Sequence, residues 1–464
     1  MSNSSQVAGM AKLRIASPIL RLPSPILRRG PVAPSQPANP SVFLASRTAR
    51  PLWFDGRFLA AADLRREQNY FLRRQAAFGQ AAGPGILHGL TVDQGSSGQI
   101  ATNETLIIRA GVGITPSGEL VMISSDLTIQ LTDLADQENL DEQFGVSESP
   151  QQPARTRTGI YVIVLRRVKF TANPIVSYPS SLGTAPVAQD GDIVEATAVS
   201  LIPYPNPITN SDPATQQAML ARQIFLEGSF ISLPDSVLPL AMVGLDRNAI
   251  QWLDMFLVRR ESGPQTSAVR LDLSDPATQQ ACLLQYDAKL KAIVGSLAAN
   301  TAINATTYFQ ALPPAGALPI ASINTTSFTQ VFFPPLTNVR LSLVPSDELP
   351  ALIEEGISLP PIDLTQPAST FANLAVAVLV PVPRANYASA KATAPDVNLT
   401  ATPLRLPILR PPLPILRLLP GGLAPGLPVS SGTGWPGIVS GMSYAFYTRL
   451  RDQANYVPMP VVTS

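Results

Sequence analysis

A proline falls at about every tenth position, 47 in 464 residues. Proline fixes φ and has no amide donor, so helix interiors and central strands are confined to the stretches between prolines. The chain must be built from short strands, turns and extended connections. The constraint is tightest near the two ends. Pro18-Ile19-Leu20-Arg21 returns seven residues later as Pro25-Ile26-Leu27-Arg28. Pro407-Ile408-Leu409-Arg410 returns, again after seven, as Pro414-Ile415-Leu416-Arg417. Heptad spacing would ordinarily suggest a coiled coil, but these prolines, with Pro23, Pro411 and Pro412, forbid a helix. Both segments must be extended or polyproline II, with backbone groups free to pair with another surface. Each copy offers two apolar side chains and one guanidinium. Ile19, Leu20, Arg21, Ile26, Leu27 and Arg28, with Ile408, Leu409, Arg410, Ile415, Leu416 and Arg417, are therefore read as docking residues on two arms. The competing reading is a low-complexity linker.

Helices are expected only where proline is absent or sits in a first turn. Ser211-Asp212-Pro213-Ala214-Thr215-Gln216-Gln217-Ala218 is repeated as Ser274-Asp275-Pro276-Ala277-Thr278-Gln279-Gln280-Ala281. Each reads as a helix start, with an Asp or Ser cap and Pro where its missing N–H costs nothing. The second continues through Tyr286, Leu290, Ile293 and Leu297 at helical spacing. The two helices could form a neck between copies or pack on their own sheets; the sequence favours neither. Gly159–Arg166 and the nine-residue apolar run Leu374–Val382 predict central strands, and residues 349–355 a short helix. Residues 435–456 read as a small terminal element. The organisation expected is an arm at 1–50, an N-terminal helix and β domain at 51–205, a helical segment at 206–300, an α+β domain at 301–390, and a C-terminal arm with its terminal element at 391–464. The fold class is α+β, β-rich and multidomain, since 464 residues exceed one ordinary core.

The most organised stretch is Trp53-Phe54-Asp55-Gly56-Arg57-Phe58-Leu59-Ala60-Ala61-Ala62-Asp63-Leu64, running on to Glu67-Gln68-Asn69-Tyr70-Phe71. Asp55-Gly56 is a turn dipeptide, and helix formers dominate from Ala60. Leu64, Phe71, Leu72 and Phe78 recur at helical spacing, so this stripe is expected to anchor the first β domain with Phe71 buried. A glycine-punctuated strand start follows, Gly83-Pro84-Gly85-Ile86-Leu87-His88-Gly89-Leu90-Thr91-Val92, and then Ile107–Leu120 with a Pro116-Ser117-Gly118 turn.

These three segments resemble a family associated with contractile injection machines and phage-tail-like particles. Its members carry a Phe-Asp-Gly turn before a helix with Asp and Glu-Gln-x-Tyr, then Gly-x-Gly before Gly-Leu-x-Val. More loosely, the opening is similar to the trimeric baseplate subunit of type VI secretion systems. The resemblance spans about residues 51–125, with Ala60 where the family has Ser or Thr and Pro84 where it has Trp. It makes Trp53, Asp55, Gly56, Phe58, Asp63, Tyr70, Gly85 and Gly89 the signature residues. It implies a non-enzymatic structural subunit, partnered by other subunits of a large particle and by copies of itself. The implied location is a cytoplasmic assembly, or a released or membrane-attached particle.

Chemistry is sparse in the chain. One cysteine, Cys282, excludes an intrachain disulfide and a cysteine-built zinc site; it is expected to be a buried small hydrophobe. One histidine, His88, excludes two-histidine metal motifs and is expected to be a loop residue bonding backbone. No phosphate-binding glycine loop occurs, so no cofactor is expected. Paired carboxylates need no fixed spacing, and Asp347, Glu348, Glu354 and Glu355 are the densest acids; Ser346-Asp347-Glu348 nevertheless reads as a helix start. Residues 1–54 hold seven bases and no acid, leaving 26 bases and 32 acids elsewhere. Without interleaved aromatics the basic arm is not a nucleic-acid binder; an acidic protein surface suits it better. Membrane contact is disfavoured, because proline breaks an interfacial helix and no run of eighteen apolar residues exists. Three classes thus stand in order: a structural particle subunit, a receptor- or carbohydrate-binding tail protein, and a carboxylate hydrolase.

Overall fold

The computed structural model describes residues 50–95, 104–134, 156–177, 187–205, 212–229, 232–262, 276–402 and 433–450. The protein is α+β with several sheets, and it divides into two compact units, Met1–Leu72 and Arg73–Ser464. In the first unit an extended segment and a turn at Asp55–Gly56 lead into helix α1, Ala61–Ala82. No residue of α1 is buried. The expectation that its apolar stripe forms core is therefore overturned: Leu64, Phe71 and Phe78 are exposed, Phe71 by 51%. Within the second unit the end of this helix, at Ala76 and Gly79, meets Gly118 through backbone.

The second unit opens with six short strands: β1 Gly85–Gly89, β2 Val92–Gln94, β3 Thr105–Ile108, β4 Gly111–Ile114, β5 Leu120–Ile123 and β6 Leu127–Gln130. They are divided between two three-stranded antiparallel sheets, β1-β4-β5 and β2-β3-β6. Gly89 and Leu90, both at positive φ (64° and 53°), turn the chain from one sheet to the other.

A larger antiparallel sheet follows, built from β7 Gly159–Ser177, β8 Val187–Tyr204, then helix α2 Pro213–Phe225, β9 Val237–Asp246 and β10 Ala249–Asp254. Its order is β10-β9-β7-β8. Strand alternation assigns its two faces. Ile163 and Leu165 of β7 join Ile86, Leu106, Ile108 and Val121 of the small sheets. Ile160, Val162 and Val164 join Leu220, Ala221 and Ile224 of α2. So α2 packs on its own sheet. Its start is as the sequence predicts: Asp212 accepts from the Thr215 amide at 2.8 Å, and Pro213 fills the first turn. Residues 206–300 were expected to be helical, yet β9 and β10 lie among them. Their hairpin uses Arg247 and Asn248 at φ 47° and 67°, a two-residue left-handed turn made without glycine.

The last part carries α3 Pro276–Ser296, α4 Ala305–Tyr308, β11 Ala311–Leu312, β12 Ala315–Pro319, β13 Ile323–Asn324, β14 Thr329–Gln330, β15 Asn338–Pro345, α5 Leu349–Ile357, β16 Ile362–Asp363, β17 Ala375–Val382, α6 Arg384–Thr393, β18 Val397–Ala401, α7 Gly434–Val439 and β19 Tyr444–Arg449. Seven strands form one mixed sheet in the order β12-β19-β17-β15-β18-β14-β13. Every residue of β17 is buried, in keeping with its unbroken apolar run. β19 pairs on both sides, with β12 and β17, so the region expected to be a terminal element supplies an interior strand. Tyr447 of β19 meets Tyr286 of α3 and Phe333 edge to face, with centroids 6.1 and 5.3 Å away, and donates to the Pro313 carbonyl at 3.0 Å.

Candidate assembly interface

In the first unit a set of polar contacts organises the signature residues. Asp55-Gly56 forms the turn, closed by the Arg57 amide donating to the Phe54 carbonyl at 3.1 Å, and Gly56 stands at φ 89°, where a side chain would be strained. Arg57 is the organiser. Its guanidinium donates to the Leu52 carbonyl at 2.6 Å and to Asp63 Oδ1 at 2.9 Å, and it lies 5.1 Å from the centre of the Trp53 ring. Trp53 Nε1 donates to Glu67 Oε2 at 2.9 Å, Arg66 reaches Asp63 at 2.6 Å, and Arg50 lies over the Tyr70 ring at 5.8 Å. Trp53 and Asp63 thus have partners on the turn and the helix, and Tyr70 has one on the segment before the turn. Sequence reasoning missed Arg57; the signal was a cation six residues before the first acid of the helix.

Much of what these contacts leave uncovered is apolar. Leu52, Phe54, Phe58, Leu59, Leu64 and Phe71 are all exposed, Phe58 by 94%. A single exposed apolar side chain needs no explanation, but seven within residues 52–71, Trp53 included, leading into a helix with nothing buried, make a candidate interaction surface.

Gly85 and Gly89 belong to the second unit and are structural. A β-carbon on Gly85 would stand 2.7 Å from the Ser262 amide nitrogen, because the segment Arg260–Ser262 runs alongside β1. One on Gly89 would stand 2.0 Å from the Ala110 carbonyl oxygen. Arg259 fixes this corner, donating to the Gly89 and Leu90 carbonyls at 2.9 Å each. His88 lies in β1 itself and is exposed, which corrects the expectation of a loop residue.

Two charged nodes in the second unit were not anticipated. Asp254, at the end of β10, has no exposed surface. Its Oδ2 accepts from Gln217 of α2 at 2.6 Å and Gln285 of α3 at 3.1 Å, and its Oδ1 from the Phe256 amide at 3.0 Å. Burial raises its carboxyl pKa, opposed by the Gln285 and Gln217 amides and by the charge of Lys289. A fully enclosed carboxylate cannot meet a substrate; it ties α2, β10 and α3 together. Arg222 of α2 grips Asp363 of β16 with two nitrogens, at 3.1 and 2.9 Å. Burial pushes Asp363 up, but hydrogen bonds from Arg222, Thr365 and Gln366 outweigh it and hold the carboxyl well below the usual range. Cys282 is buried as expected, its thiol pushed up to about 12 by burial. Asp347 and Glu348 bracket Arg384 in an exposed ion pair beside α5. Among the described residues no cluster of His, Cys, Asp or Glu could hold a metal ion, and no helix is long and apolar enough to cross a membrane.

The docking residues Ile19, Leu20, Arg21, Ile26, Leu27, Arg28, Ile408, Leu409, Arg410, Ile415, Leu416 and Arg417 lie outside the described residues.

The fold and this surface define a multidomain α+β protein with an exposed apolar face. No family model and no curated protein match the chain. Among solved structures it is similar to a crystal structure of TssK, at 13% identity and a TM-score of 0.24 over 53% of this chain and 48% of that one. It is similar to a chain of the baseplate complex from the type VI secretion system, at 13% identity and a TM-score of 0.21 over 55% and 71%. A TssK-TssF-TssG baseplate subcomplex gives 14% identity and a TM-score of 0.21 over 53% and 70%. The chain spans about half the length of the first of these. At such scores the likeness carries no argument about function, which rests on the residues above.

Proposed function

We propose that the protein is a non-enzymatic structural subunit of a contractile injection or phage-tail-like particle, placed in its baseplate and joined to its neighbours by apolar surface and terminal arms. One observation carries this reading: seven large apolar side chains stand exposed on residues 52–71, where Trp53, Arg57, Asp63, Arg66 and Glu67 are tied to one another. Water-exposed apolar area of this kind is stabilised by covering it, at about 25 cal/mol per Å². The Phe-Asp-Gly and Gly-x-Gly resemblance and the sparse charge, 14% of residues, support it, since a free monomer keeps itself soluble with charge. The partners are other subunits and copies of the same chain, in a cytoplasmic assembly.

The test is the native assembly. Protein recovered gently from its source and imaged in negative stain should lie in particles with repeating subunits. Deletion of residues 1–40 should leave a folded protein that does not enter them. Recovery as a lone 49.3 kDa chain under all conditions would overturn the reading.

A further inference from the structure

The β7–β8 hairpin outruns its sheet. β9 pairs with β7 only over Gly159–Arg166, whereas β7 and β8 stay paired out to Ser177 and Val187. Beyond Arg166 the hairpin is therefore a two-stranded ribbon, and such ribbons are marginal in water without further cover. On it Ile175, Val176 and Ile193 are 60%, 70% and 68% exposed.

Its two edges differ. The outer edge of β7 is blunted by Pro174, which has no amide hydrogen, and by Asn173 at φ 59°. β8 has no proline from Val187 to Ile202 and is the outermost strand of its sheet. β5 reaches it near Thr197, whose hydroxyl accepts from the Met122 amide at 3.3 Å. Among the described residues no strand pairs with 188–194 on this edge, so its outward-facing backbone donors and acceptors are open. Asp190 and Asp192 give this stretch negative charge, and described residues 170–177 and 187–194 contain no base.

We infer that this edge is the docking site for the N-terminal Pro-Ile-Leu-Arg segment of a neighbouring copy, added as a short antiparallel strand. The inference rests on the assembly reading above in that copies must meet. Paired residues of adjacent strands share a face, and successive residues alternate faces. On β8, Val194 and Asp192 share one face and Ile193 takes the other. An antiparallel register placing Ile19 beside Val194 sets Leu20 beside Ile193 and Arg21 beside Asp192. Two apolar neighbours and one opposite-charge pair result in a single register. Pro18 and Pro23 bound the added strand, and Ile26-Leu27-Arg28 offers the same pattern again. Because each chain then carries both a donor arm and an acceptor edge, copies join head to tail, the arrangement that gives rings where the rotation closes and filaments where it does not.

Hydrogen exchange of amides 188–194 in the full-length protein tests this, using wild type, an arm variant (Arg21→Glu with Arg28→Glu) and an edge variant (Asp192→Arg). Wild type should exchange about tenfold or more slowly than the arm variant at concentrations where copies associate. Mixing the two variants should restore slow exchange on the arm variant's intact edge, supplied by the edge variant's intact arm. Their 188–194 segments differ in mass and can be read separately. Equal exchange in wild type and arm variant overturns the inference. Protection lost in the arm variant and not regained on mixing shows an arm folded on its own ribbon, which overturns the neighbour assignment. Native particles whose edge exchanges freely would sink the docking site alone, leaving the assembly reading standing.

Discussion

Gly79 and Gly118 meet backbone to backbone: a β-carbon on Gly79 would stand 2.2 Å from the Gly118 carbonyl oxygen, and one on Gly118 1.9 Å from the Ala76 carbonyl oxygen. The second of these glycines ends the turn between β4 and β5 at φ 85°. Gln80 Nε2 adds a bond to the Ser117 carbonyl at 3.3 Å. The end of α1 is thus held to the turn by close approach of main chain, while Phe78 stays exposed.

Gly118→Ala should therefore cost about 1–3 kcal/mol or more, since both the left-handed backbone and the contact with α1 are violated. A urea titration followed by circular dichroism measures it. An unchanged midpoint would show that α1 does not lie against this turn.

Phe71→Ala should separate folding from assembly. With the ring half exposed, the change should alter the stability of the free chain by no more than about 0.5 kcal/mol. As an interface anchor the same ring should be worth about 2 kcal/mol or more in association. Melting the variant and following its association by sedimentation checks both halves, and a large loss of melting temperature with normal assembly would refute the exposed position.

Asp254→Ala should be the most damaging single change discussed here. It removes the acceptor shared by Gln217, Gln285 and the Phe256 amide, leaving buried donors unsatisfied at about 1–3 kcal/mol each. Chemical denaturation is the measurement. A variant within 1 kcal/mol of the parent, on the order of an ordinary surface change, would show that the node is not structural.

The Arg222–Asp363 pair predicts a pH dependence with a definite sign. The carboxyl is held below its unfolded value of about 3.9, so its contribution is complete above that pH and fades as pH falls through the folded value. Arg222→Met should therefore lower stability most at pH 7, and the gap to wild type should narrow below about pH 4. A gap that widened in acid would contradict the assigned direction.

His88→Ala follows from the proposed function. The ring is exposed in β1, so the variant should stay folded within about 0.5 kcal/mol and keep its function. A folded variant with lost activity would argue for chemistry at this position.

Much of the local structure was legible in the residues themselves. The turn at Asp55–Gly56, the capped and proline-led start at Asp212–Pro213, the buried strand Ala375–Val382 and the buried Cys282 each depend on neighbours in sequence or on plain apolarity. Local steric rules and burial preferences act over a few residues, so a linear reading can apply them. The rest was decided in three dimensions. Whether the end of α1 can lie close to another segment depends on two glycines 39 positions apart, Gly79 and Gly118, whose missing side chains let backbones touch. β19 looks like any short aromatic strand until its pairing between β12 and β17 makes it interior. Asp254 gains its meaning from glutamines 37 residues before it and 31 after it. Such contacts depend on which distant segments pack together, and packing is a property of the folded chain rather than of any stretch of sequence.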